Sequence, residues 1–548
     1  MKTNKIAVYS VLAVFMLTAM FTGLSCKKLT NPTDGAKLII DYNLIKTTID
    51  VSLYDAKTGE LIGRDGDKNV RITITGSDKG GIIDATGMQP ANQQYSAQRG
   101  MLGLAIVPDN QYAPTAMRPV AFNVVASLDG YLATSQHVSI SAPGKNFVRI
   151  NMVDIENPPA GVTVGKQDGL GNVVGGSLQE TVTVSTPGSK AALTLPAGVV
   201  LRDADGNPLE GPLSVLMAHF DNTVDEAMAA FPGGVMSNVT RADGTNSDGM
   251  FFSAGFVSIE IRDAVGRQAK TIENGTLELV SVVSPLTYNP EAQRNILAGD
   301  AVPVWSFDET TGMWTEEDGT TIVSSGGNLQ MTAQLAHLSY YNFDWFWTEY
   351  CTYGAEFHFD LDNPVCDCFP MYGVMKRQSD NAIIKYIYMW VCGSDPVYTF
   401  YAPANLPVYI EWDASYSPAI TIDPSAQPTY IENLCSSTPV TILLHANVDP
   451  LTTTVTADIS AYCASQPDVI IRPSFSVWFH KEGDWNWRYA SMTNGYAEIC
   501  GVEIGATYYV FIYYNGSYYY EPFVVTQASY EYINYELPAD VCSDVFGL

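Results

Sequence analysis

Short runs that alternate apolar and polar residues, each closed by a turn, recur along most of this 548-residue chain. Segments such as Ile49 to Tyr54 (IDVSLY) and Val70 to Thr75 (VRITIT) have the two-residue period of a half-buried strand. The composition favours strands and turns, with 32 Tyr, 21 Phe, 44 Gly and 30 Pro. We therefore predict an all-β chain of several β-sandwich modules in tandem. Two short helices are also expected, at residues 221–230 and 290–298.

The N-terminus has the layout of an export signal. Lys2 and Lys5 precede an almost unbroken apolar run from Ile6 to Phe21, small residues follow, and then comes Cys26. This layout resembles the lipoprotein signals of Gram-negative bacteria, in a relaxed form that suits the Bacteroidetes. The resemblance implies that residues 1–26 are a lipoprotein signal and that Cys26 carries the lipid. An uncleaved transmembrane anchor and ordinary signal cleavage are the alternatives.

A lipid on Cys26 would hold the rest of the chain at the outer membrane, behind a polar linker of residues 27–36. We expect the ectodomain to face the cell surface, with a periplasm-facing orientation as the alternative. The formal net charge is −29, so the surface repels phosphate backbones and nucleic acid is excluded as a partner.

Composition shifts and turn clusters divide the ectodomain into four predicted modules. They cover residues 37–156, 170–350, 351–437 and 438–548. In the first module, the turn from Asp55 to Gly59 and a later Asp129-Gly-Tyr131 resemble the carboxypeptidase regulatory-like domains of bacterial surface proteins. That resemblance implies a transthyretin-like sandwich without a catalytic role.

The second module carries two distinctive passages. One runs from Ala192 to Asp221, and the other runs from Val302 to Trp345 and closes on His337-Leu-Ser-Tyr-Tyr-Asn-Phe-Asp344. Over residues 180–347 they resemble the module of cartilage intermediate layer protein and related extracellular proteins. The chain departs from that pattern where the family has two tryptophans and this sequence has two tyrosines. The resemblance implies an extracellular β-sandwich with an interaction role and no catalytic residues.

The aromatic residues of the same module also predict a specific local structure. Trp305 and Phe307 alternate on one strand face, and Trp314 follows after a turn. Cross-strand aromatic pairs stabilise hairpins. We therefore predict a hairpin whose aromatic side chains pack in the core.

The cysteines agree with export to an oxidising compartment. Besides Cys26 there are eight, an even number that predicts up to four disulfides without fixing their pairing. A zinc site is the alternative, but Cys366 and Cys368 are spaced too closely for a zinc-binding pair. The eight disulfide candidates are Cys351, Cys366, Cys368, Cys392, Cys435, Cys463, Cys500 and Cys542.

No catalytic motif stands out in the sequence. It has no His-Glu-x-x-His, Gly-x-Ser-x-Gly or P-loop pattern. The six histidines are widely spaced, and each is interpreted as structural; they are His137, His219, His337, His358, His445 and His480. A pair of carboxylates in a cleft could still make a hydrolase, and nothing in the sequence marks one out. We expect no enzyme activity and no cofactor.

Two groups are candidates for ligand binding. Asp203-Ala-Asp205-Gly-Asn207 resembles the opening of a Ca²⁺ loop, but the twelfth position is Ser214 rather than the Glu of an EF-hand. A simple Asp-Gly turn is the alternative to a structural Ca²⁺ site. The other group is aromatic and surrounds predicted C-terminal hairpins, where outward side chains could bind a ligand; it consists of Trp485, Trp487, Tyr513, Tyr514, Tyr518 and Tyr519.

These observations favour a membrane-anchored, non-catalytic lipoprotein that acts in binding, adhesion or scaffolding at the cell envelope. Its partner would be a protein, matrix or glycan ligand. The alternatives are a glycan-binding lipoprotein of a nutrient-uptake system, supported by the aromatic C-terminus, and a cryptic hydrolase.

Overall fold

The computed structural model describes most of the predicted ectodomain. The described residues are 38–42, 46–84, 88–115, 117–230, 236–308, 313–363, 369–378, 381, 383–391, 393, 396–414, 420–436, 438–446, 452–473, 475–484, 488–514, 517–537, 539 and 542. The predicted signal, Cys26 and the linker 27–36 lie outside them. No helix within the described part of the chain has both the length and the apolar character to cross a membrane.

The first module is a single sheet. The N-terminal strands are β1 (Leu38–Tyr42), β2 (Thr47–Asp55), β3 (Asn69–Thr75), β4 (Ile82–Asp84), β5 (Gln94–Gln98), β6 (Met101–Ile106), β7 (Val120–Ser127), β8 (Thr134–Ile140) and β9 (Gly144–Met152). All but β1 join one sheet in the order β8-β7-β3-β5-β6-β2-β9, with β4 beside β6. The alternating residues Ile49, Val51 and Leu53 of β2 are fully buried in its core, as the two-residue period predicts.

The described part of the second module has two large sheets and a separate two-stranded ribbon. Its strands are β10 (Val162–Val174), β11 (Ser177–Leu178), β12 (Val182–Ser185), β13 (Ala191–Leu195), β14 (Val200–Arg202), β15 (Gly211–Phe220), β16 (Met236–Thr240), β17 (Asn246–Arg262), β18 (Thr271–Glu273), β19 (Leu277–Val283), β20 (Tyr288–Asn289), β21 (Arg294–Asn295), β22 (Ala301–Asp308), β23 (Met313–Thr321), β24 (Val323–Ser325), β25 (Asn328–Leu335) and β26 (Tyr340–Trp347). Ten strands form the order β16-β23-β22-β26-β17-β15-β10-β11-β14-β18, five form β12-β13-β19-β25-β24, and β20 and β21 form the ribbon.

These two sheets face each other across a shared core. Val215 and Met217 from β15 lie in the same buried cluster as Leu193 from β13 and Leu279 from β19. Because both sheets bury one face against the other, the arrangement is a β-sandwich. The all-β, tandem-sandwich fold class predicted from the sequence is confirmed here.

The predicted aromatic hairpin is present in this sandwich. Strands β22 and β23 pair antiparallel, with Phe307 opposite Trp314. Their ring centroids are 5.0 Å apart, and Phe251 packs edge-on against both Trp305 and Trp314 at 5.2 and 5.5 Å. Trp305 and Trp314 have no exposed surface, so the aromatic motif belongs to the core.

The third module also has two sheets. Its strands are β27 (Tyr350–Leu361), β28 (Phe369–Arg377), β29 (Ile383–Val391), β30 (Val397–Pro403), β31 (Val408–Asp413), β32 (Ile420–Ile422), β33 (Thr429–Ile431) and β34 (Val440–Ala446). The sheets are ordered β30-β27-β34-β32 and β29-β28-β31-β33. Phe357 of β27 packs edge-on against Trp412 of β31 at 5.3 Å, which joins the two sheets through their core.

The fourth module is the most C-terminal of the four. Its strands are β35 (Thr452–Cys463), β36 (Gln466–Pro473), β37 (Phe475–Lys481), β38 (Arg488–Thr493), β39 (Tyr496–Glu503), β40 (Thr507–Tyr514), β41 (Ser517–Val524) and β42 (Ser529–Leu537). The sheet order is β1-β36-β35-β39-β38-β37-β40-β41, with β42 beside β35. The N-terminal β1 therefore belongs to the last sheet, where Leu38 to Tyr42 pair in parallel with Val469 to Pro473. The strand pattern predicted this segment as part of the first module, because such a pattern does not reveal a partner strand that is distant in sequence.

Helices are few and short. The α-helix α1 spans Asp225–Ala229, within the predicted 221–230. The helix predicted at 290–298 is wrong, because residues 290–293 form the turn between β20 and β21. Within the described residues, 3₁₀ segments lie at Lys79–Gly81, Asn110–Tyr112, Pro187–Ser189 and Pro424–Ala426.

The structure pairs four of the cysteine candidates. Cys351 is bonded to Cys435 across 84 residues of sequence, and Cys463 is bonded to Cys542 across 79. Cys500 is also disulfide-bonded. Cys366, Cys368 and Cys392 lie outside the described residues.

Candidate functional site

The predicted aromatic ligand surface is only partly described. Trp485 and Trp487 lie outside the described residues. The four tyrosine candidates lie on the antiparallel hairpin of β40 and β41, whose register sets Tyr513 opposite Tyr518, Tyr514 opposite Ser517, and Tyr519 opposite Ile512. The hairpin predicted around residues 515–516 is therefore present in the strands that flank them, and the ligand role of these tyrosines stays a prediction.

Neighbouring aromatic residues on these strands make contacts within the protein. Tyr509 and Tyr520 stack with ring centroids 4.7 Å apart, and the Nε2 atom of the buried His480 is hydrogen-bonded to the Tyr520 hydroxyl. The guanidinium of Arg99, from the first module, lies 4.1 Å from the centre of the Tyr520 ring. This part of the aromatic face thus packs against the first module through a cation–π contact.

The candidate Ca²⁺ loop is a hydrogen-bonded turn in this structure. The Asp203 carboxylate accepts hydrogen bonds from the backbone N–H of Asp205 at 3.0 Å and of Asn207 at 2.8 Å. These bonds, together with the Asn207 side chain, hold the pKa of Asp203 below its ordinary value despite an opposing contribution from desolvation. In the described part of the chain, no three His, Cys, Asp or Glu residues are grouped where they could share a metal ion.

A second turn, which was not predicted from the sequence, has the same hydrogen-bonding pattern. Asp263 accepts hydrogen bonds from Val265 and Arg267 N–H at 3.1 and 2.9 Å, as Asp203 does from its own turn. Leu201-Arg-Asp-Ala-Asp-Gly206 and Ile261-Arg-Asp-Ala-Val-Gly266 share their spacing. Both glycines have positive φ, at 80° and 85°, a conformation that side chains resist. The shared Arg-Asp-Ala-x-Gly pattern was the available sequence signal.

One carboxyl group with a strongly raised pKa is buried inside the second sandwich. Asp344 on β26 has no exposed surface, and burial raises its pKa to about 8. Its carboxyl accepts hydrogen bonds from the Ala254 N–H at 3.3 Å and from the Asn342 amide. A substrate cannot reach Asp344 in this structure, so its carboxyl does not fit the role of a hydrolase carboxylate. Its hydrogen bond from the Ala254 N–H instead holds the neighbouring strand β17 in place.

Beside that strand the second sandwich opens into a cleft of about 210 Å³. We name it the His219 cleft; it is lined by residues 190, 219–222, 254, 282–285 and 327–329. These residues come from both sheets of the sandwich, at the end of β15, in β17, at the end of β19 and at the start of β25. The cleft therefore lies at the edge of the space between the sheets.

His219 is the buried polar side chain of this cleft, with 3% of its surface exposed. It sits on the same strand face as the core residue Met217, because side chains two apart in a strand point the same way. Its Nε2 lies 3.0 Å from the Val282 carbonyl oxygen, so the Nε2–H donates there. The other ring nitrogen, Nδ1, is buried and has no hydrogen-bond partner among the described residues.

The electrostatic surroundings keep His219 neutral. Burial lowers its pKa from the ordinary value of 6.5, and Lys190 also lowers it, whereas the Val282 carbonyl and Asp221 act in the opposite direction. With Nε2 protonated, the neutral ring presents Nδ1 as a hydrogen-bond acceptor. His219 was predicted to be structural, and nothing in its local sequence distinguishes it from the other five histidines.

A hydrogen-bonded β-bulge in β17 forms part of the cleft lining. The register of β17 against β26 shifts between Ser253 and Phe256. Asn222 donates from its Nδ2 to the Ser253 carbonyl at 2.7 Å, and its Oδ1 accepts from Thr287 Oγ1 at 3.0 Å. With Asp344 holding the Ala254 N–H, the bulge is bonded on both sides. These hydrogen bonds therefore hold this part of the cleft lining in place.

The comparisons with known proteins do not place the chain in a family. No protein-family model matches it, and no curated protein matches it. Among solved structures, the RrgB pilus protein from Streptococcus pneumoniae matches with 7% identity, covering 92% of this chain and 99% of its own, at a TM-score of 0.13. The Bacillus anthracis TIE protein matches with 9% identity over 69% and 75%, at 0.14. The pilus-presented adhesin Spy0125 matches with 7% identity over 74% and 99%, at 0.13. TM-scores this low do not support a conclusion about the family or function of this chain.

Proposed function

We propose that this protein is an exported lipoprotein, anchored to the outer membrane through Cys26, whose non-catalytic β ectodomain acts in binding, adhesion or scaffolding at the cell envelope. The observation that carries the proposal is the contact between successive β modules described below. A scaffold needs modules that keep their relative positions, and packed, hydrogen-bonded junctions supply that.

The first junction joins the first and second modules. Leu132 and Val153 belong to the same buried cluster as Phe220 and Phe256 of the second sandwich. Side chains add hydrogen bonds across it, because the Tyr340 hydroxyl donates to the Ala133 carbonyl at 3.1 Å. Apolar burial and directional bonds together resist rotation of one module against the other.

The second junction joins the second and third modules. Lys376 on β28 lies 3.1 Å from Asp225 of α1 and 2.7 Å from Glu411. The adjacent Arg377 is buried, and its guanidinium lies 3.8 Å from the centre of the Tyr288 ring. A buried cation over an aromatic ring gains from low solvent exposure. The core cluster of the second sandwich also continues into the third module.

The anchoring half of the proposal rests on the sequence of the signal and is tested by lipid labelling. Cells that express the full chain are labelled with radioactive palmitate and then treated with protease from outside. We expect label on the wild type, no label on Cys26→Ala, and label on the matched control Ser25→Ala, which keeps a small residue before the cysteine. We also expect external protease to release the ectodomain.

Either of two results would contradict this proposal. Label that persists on Cys26→Ala would rule out the lipid attachment. Labelled protein that resists protease on intact cells, but is cleaved after the outer membrane is opened, would place the ectodomain in the periplasm and rule out surface adhesion.

A further inference from the structure

We propose that Cys500 is bonded to Cys366, so that a disulfide joins the fourth β module covalently to the third. This inference rests on the proposed export, because disulfides form and persist in oxidising compartments. It deepens that proposal by assigning a partner to Cys500 and by making one junction of the scaffold covalent. Its test reads cysteine-containing peptides and not the lipid on Cys26, so the two proposals fail separately.

The first argument is the small number of cysteines that can bond to Cys500, which is itself disulfide-bonded. Cys351 with Cys435 and Cys463 with Cys542 are already paired, and the cysteine of the predicted signal is assigned to the lipid. The cysteines that remain are Cys366, Cys368 and Cys392. All three belong to the predicted third module and lie outside the described residues. A bond from Cys500 to any of them therefore joins two modules.

The second argument is the register of β28 against β29. The two strands pair antiparallel, with Phe369 opposite Val391. Cys368 directly precedes Phe369 in the sequence, and Cys392 directly follows Val391. The same register, continued by one residue, would set these two cysteines opposite each other. Opposed residues of an antiparallel pair have Cα atoms about 4.5–5.5 Å apart, and a disulfide usually joins Cα atoms about 4.4–6.8 Å apart.

We therefore assign Cys368 to Cys392, which leaves Cys366 as the partner of Cys500. The eight cysteines that follow the predicted signal then form four bonds, as their even number predicts. Three of these bonds lie within a module, and the bond of Cys500 is the one that crosses a junction.

The third argument is the face of the sheet on which Cys500 lies. The Thr454 hydroxyl is 3.4 Å from the Cys500 sulfur. The next residue of β35, Val455, belongs to the buried core of the fourth module, where Cys463 and Cys542 also lie. Because successive side chains of a strand point to opposite faces, the Cys500 sulfur lies on the face away from that core. Its half-buried side chain is thus placed for a bond to another module.

The bond forms by thiol–disulfide exchange with a protein disulfide oxidant of the cell envelope. The thiolate of one cysteine attacks the disulfide of the oxidant, and the thiolate of the other cysteine resolves the mixed disulfide that results. The two thiols lose two protons, and the two electrons reduce the oxidant to a dithiol.

The consequence for the scaffold is that the fourth module is held on two sides. On one side, β1 pairs with β36, and the Arg99 guanidinium of the first module lies 4.1 Å from the centre of the Tyr520 ring. These contacts are non-covalent. On the other side, the bond between Cys366 and Cys500 fixes the fourth module to the third, so the modules keep their relative positions.

The test is a disulfide map of the full chain, purified without reductant from cells that export it. Free thiols are blocked with iodoacetamide, and the chain is cut by an endoproteinase that cleaves before aspartate. The cut before Asp367 separates Cys366 from Cys368, and each of the eight cysteines then lies on a peptide of its own. Mass spectrometry identifies the linked peptides.

We expect peptide 484–539, which carries Cys500, to be linked to peptide 362–366, which carries Cys366. Peptide 367–379 should be linked to peptide 380–394. A bond from 484–539 to any other peptide, or to a second copy of itself in a covalent dimer, would overturn the assignment. An unlinked, alkylated Cys500 would overturn it as well. This map uses the wild type and does not depend on the folding of a variant.

A second measurement tests the covalent junction itself. A site for a sequence-specific protease is placed between β34 and β35, and the cut chain is run on a denaturing gel without reductant. We expect the wild type to remain one band and Cys366→Ser with Cys500→Ser to separate into two fragments. The matched control is Cys463→Ser with Cys542→Ser, which should remain one band because that bond lies within the C-terminal fragment. A cut wild type that separates, or a double variant of Cys366 and Cys500 that does not, would overturn the proposal.

Discussion

At the scale of single residues, the enclosed carboxyl of Asp344 makes stability depend on pH. Its folded pKa of about 8 lies above the ordinary 3.8, so the folded chain holds a proton that the unfolded chain releases. The folded state is therefore favoured fully below pH 3.8, and this contribution is lost as the pH rises toward 8.

We predict that Asp344→Asn removes that dependence. The amide keeps the shape of the protonated carboxyl, so the loss of unfolding free energy between pH 4 and 8, on the order of a few kcal/mol, should largely disappear in the variant. Hydrogen exchange of the β22–β26 region at several pH values measures it. An Asn variant that loses stability with rising pH as steeply as the wild type would contradict the prediction.

His445 should show a pH dependence through a different cause. Its Nδ1 lies 3.0 Å from Asp362 and its Nε2 lies 2.9 Å from Asp423, and these hydrogen bonds raise its pKa above 6.5. A raised pKa means that the stabilisation is complete below pH 6.5 and is lost as the pH rises through the folded value.

We predict that His445→Gln lowers the melting temperature at pH 6 and has a smaller effect at alkaline pH. The carboxylates of Asp362 and Asp423 have a cationic partner in the wild type only at pH values where His445 is protonated, so the substitution removes that partner only at those pH values. Melting curves of both proteins across that pH range test this. A difference that grows toward alkaline pH would show that the imidazolium is not the stabilising species.

At the scale of elements, the paired turns around Asp203 and Asp263 differ in burial. Asp263 is almost fully buried, lies 2.7 Å from the guanidinium of Arg267, and accepts a hydrogen bond from the backbone N–H of Glu210, which follows the other turn. Asp203 is half-buried, and its carboxylate accepts hydrogen bonds from the backbone of its own turn.

We predict that Asp263→Ala costs about 1–3 kcal/mol, because it leaves buried N–H groups without acceptors. The matched Asp203→Ala should cost less, since water can replace its carboxylate. Chemical denaturation followed by hydrogen exchange at β14 and β18 compares them. Equal losses would mean that the two turns are not coupled through Asp263.

The disulfide between Cys463 and Cys542 ties β35 to the C-terminal end of the described chain. It closes 79 residues of sequence, and cross-links over such loops restrict the unfolded chain. We predict that Cys463→Ser with Cys542→Ser costs roughly 2–5 kcal/mol in the fourth module. Hydrogen exchange should rise across β35–β42 while β27–β34, which has its own disulfide at Cys351 and Cys435, stays unchanged. Equal loosening of both modules would argue against a local effect.

At the scale of the whole molecule, the junctions between modules decide whether the ectodomain holds its arrangement. Asn151 donates to the Ala229 carbonyl at 2.7 Å and so links β9 to the end of α1. We predict that Asn151→Ala loosens the first junction and speeds proteolysis between residues 153 and 161. Asn146→Ala, whose bonds stay within the first module, is the control. Equal cleavage of both variants would show that the apolar contacts hold this junction without Asn151.

The strands, turns and aromatic hairpins followed from the sequence because they depend on neighbours within a few residues. The alternation in Ile49 to Tyr54 and the pairing of Phe307 with Trp314 are local consequences of side-chain period and turn chemistry. The even number of cysteines similarly indicated disulfides. The export signal at Cys26 remains a prediction of the same local kind.

The tertiary structure alone decided the features that depend on residues far apart in the chain. In the folded chain, β1 joins the last sheet and Cys463 is bonded to Cys542. Asp344 is buried, which raises its pKa, and Nδ1 of His219 is buried without a hydrogen-bond partner among the described residues. Each depends on which distant strands come together and how much water they exclude. A local pattern marks a residue as capable of burial or pairing, but long-range packing determines where it is buried and with what it pairs.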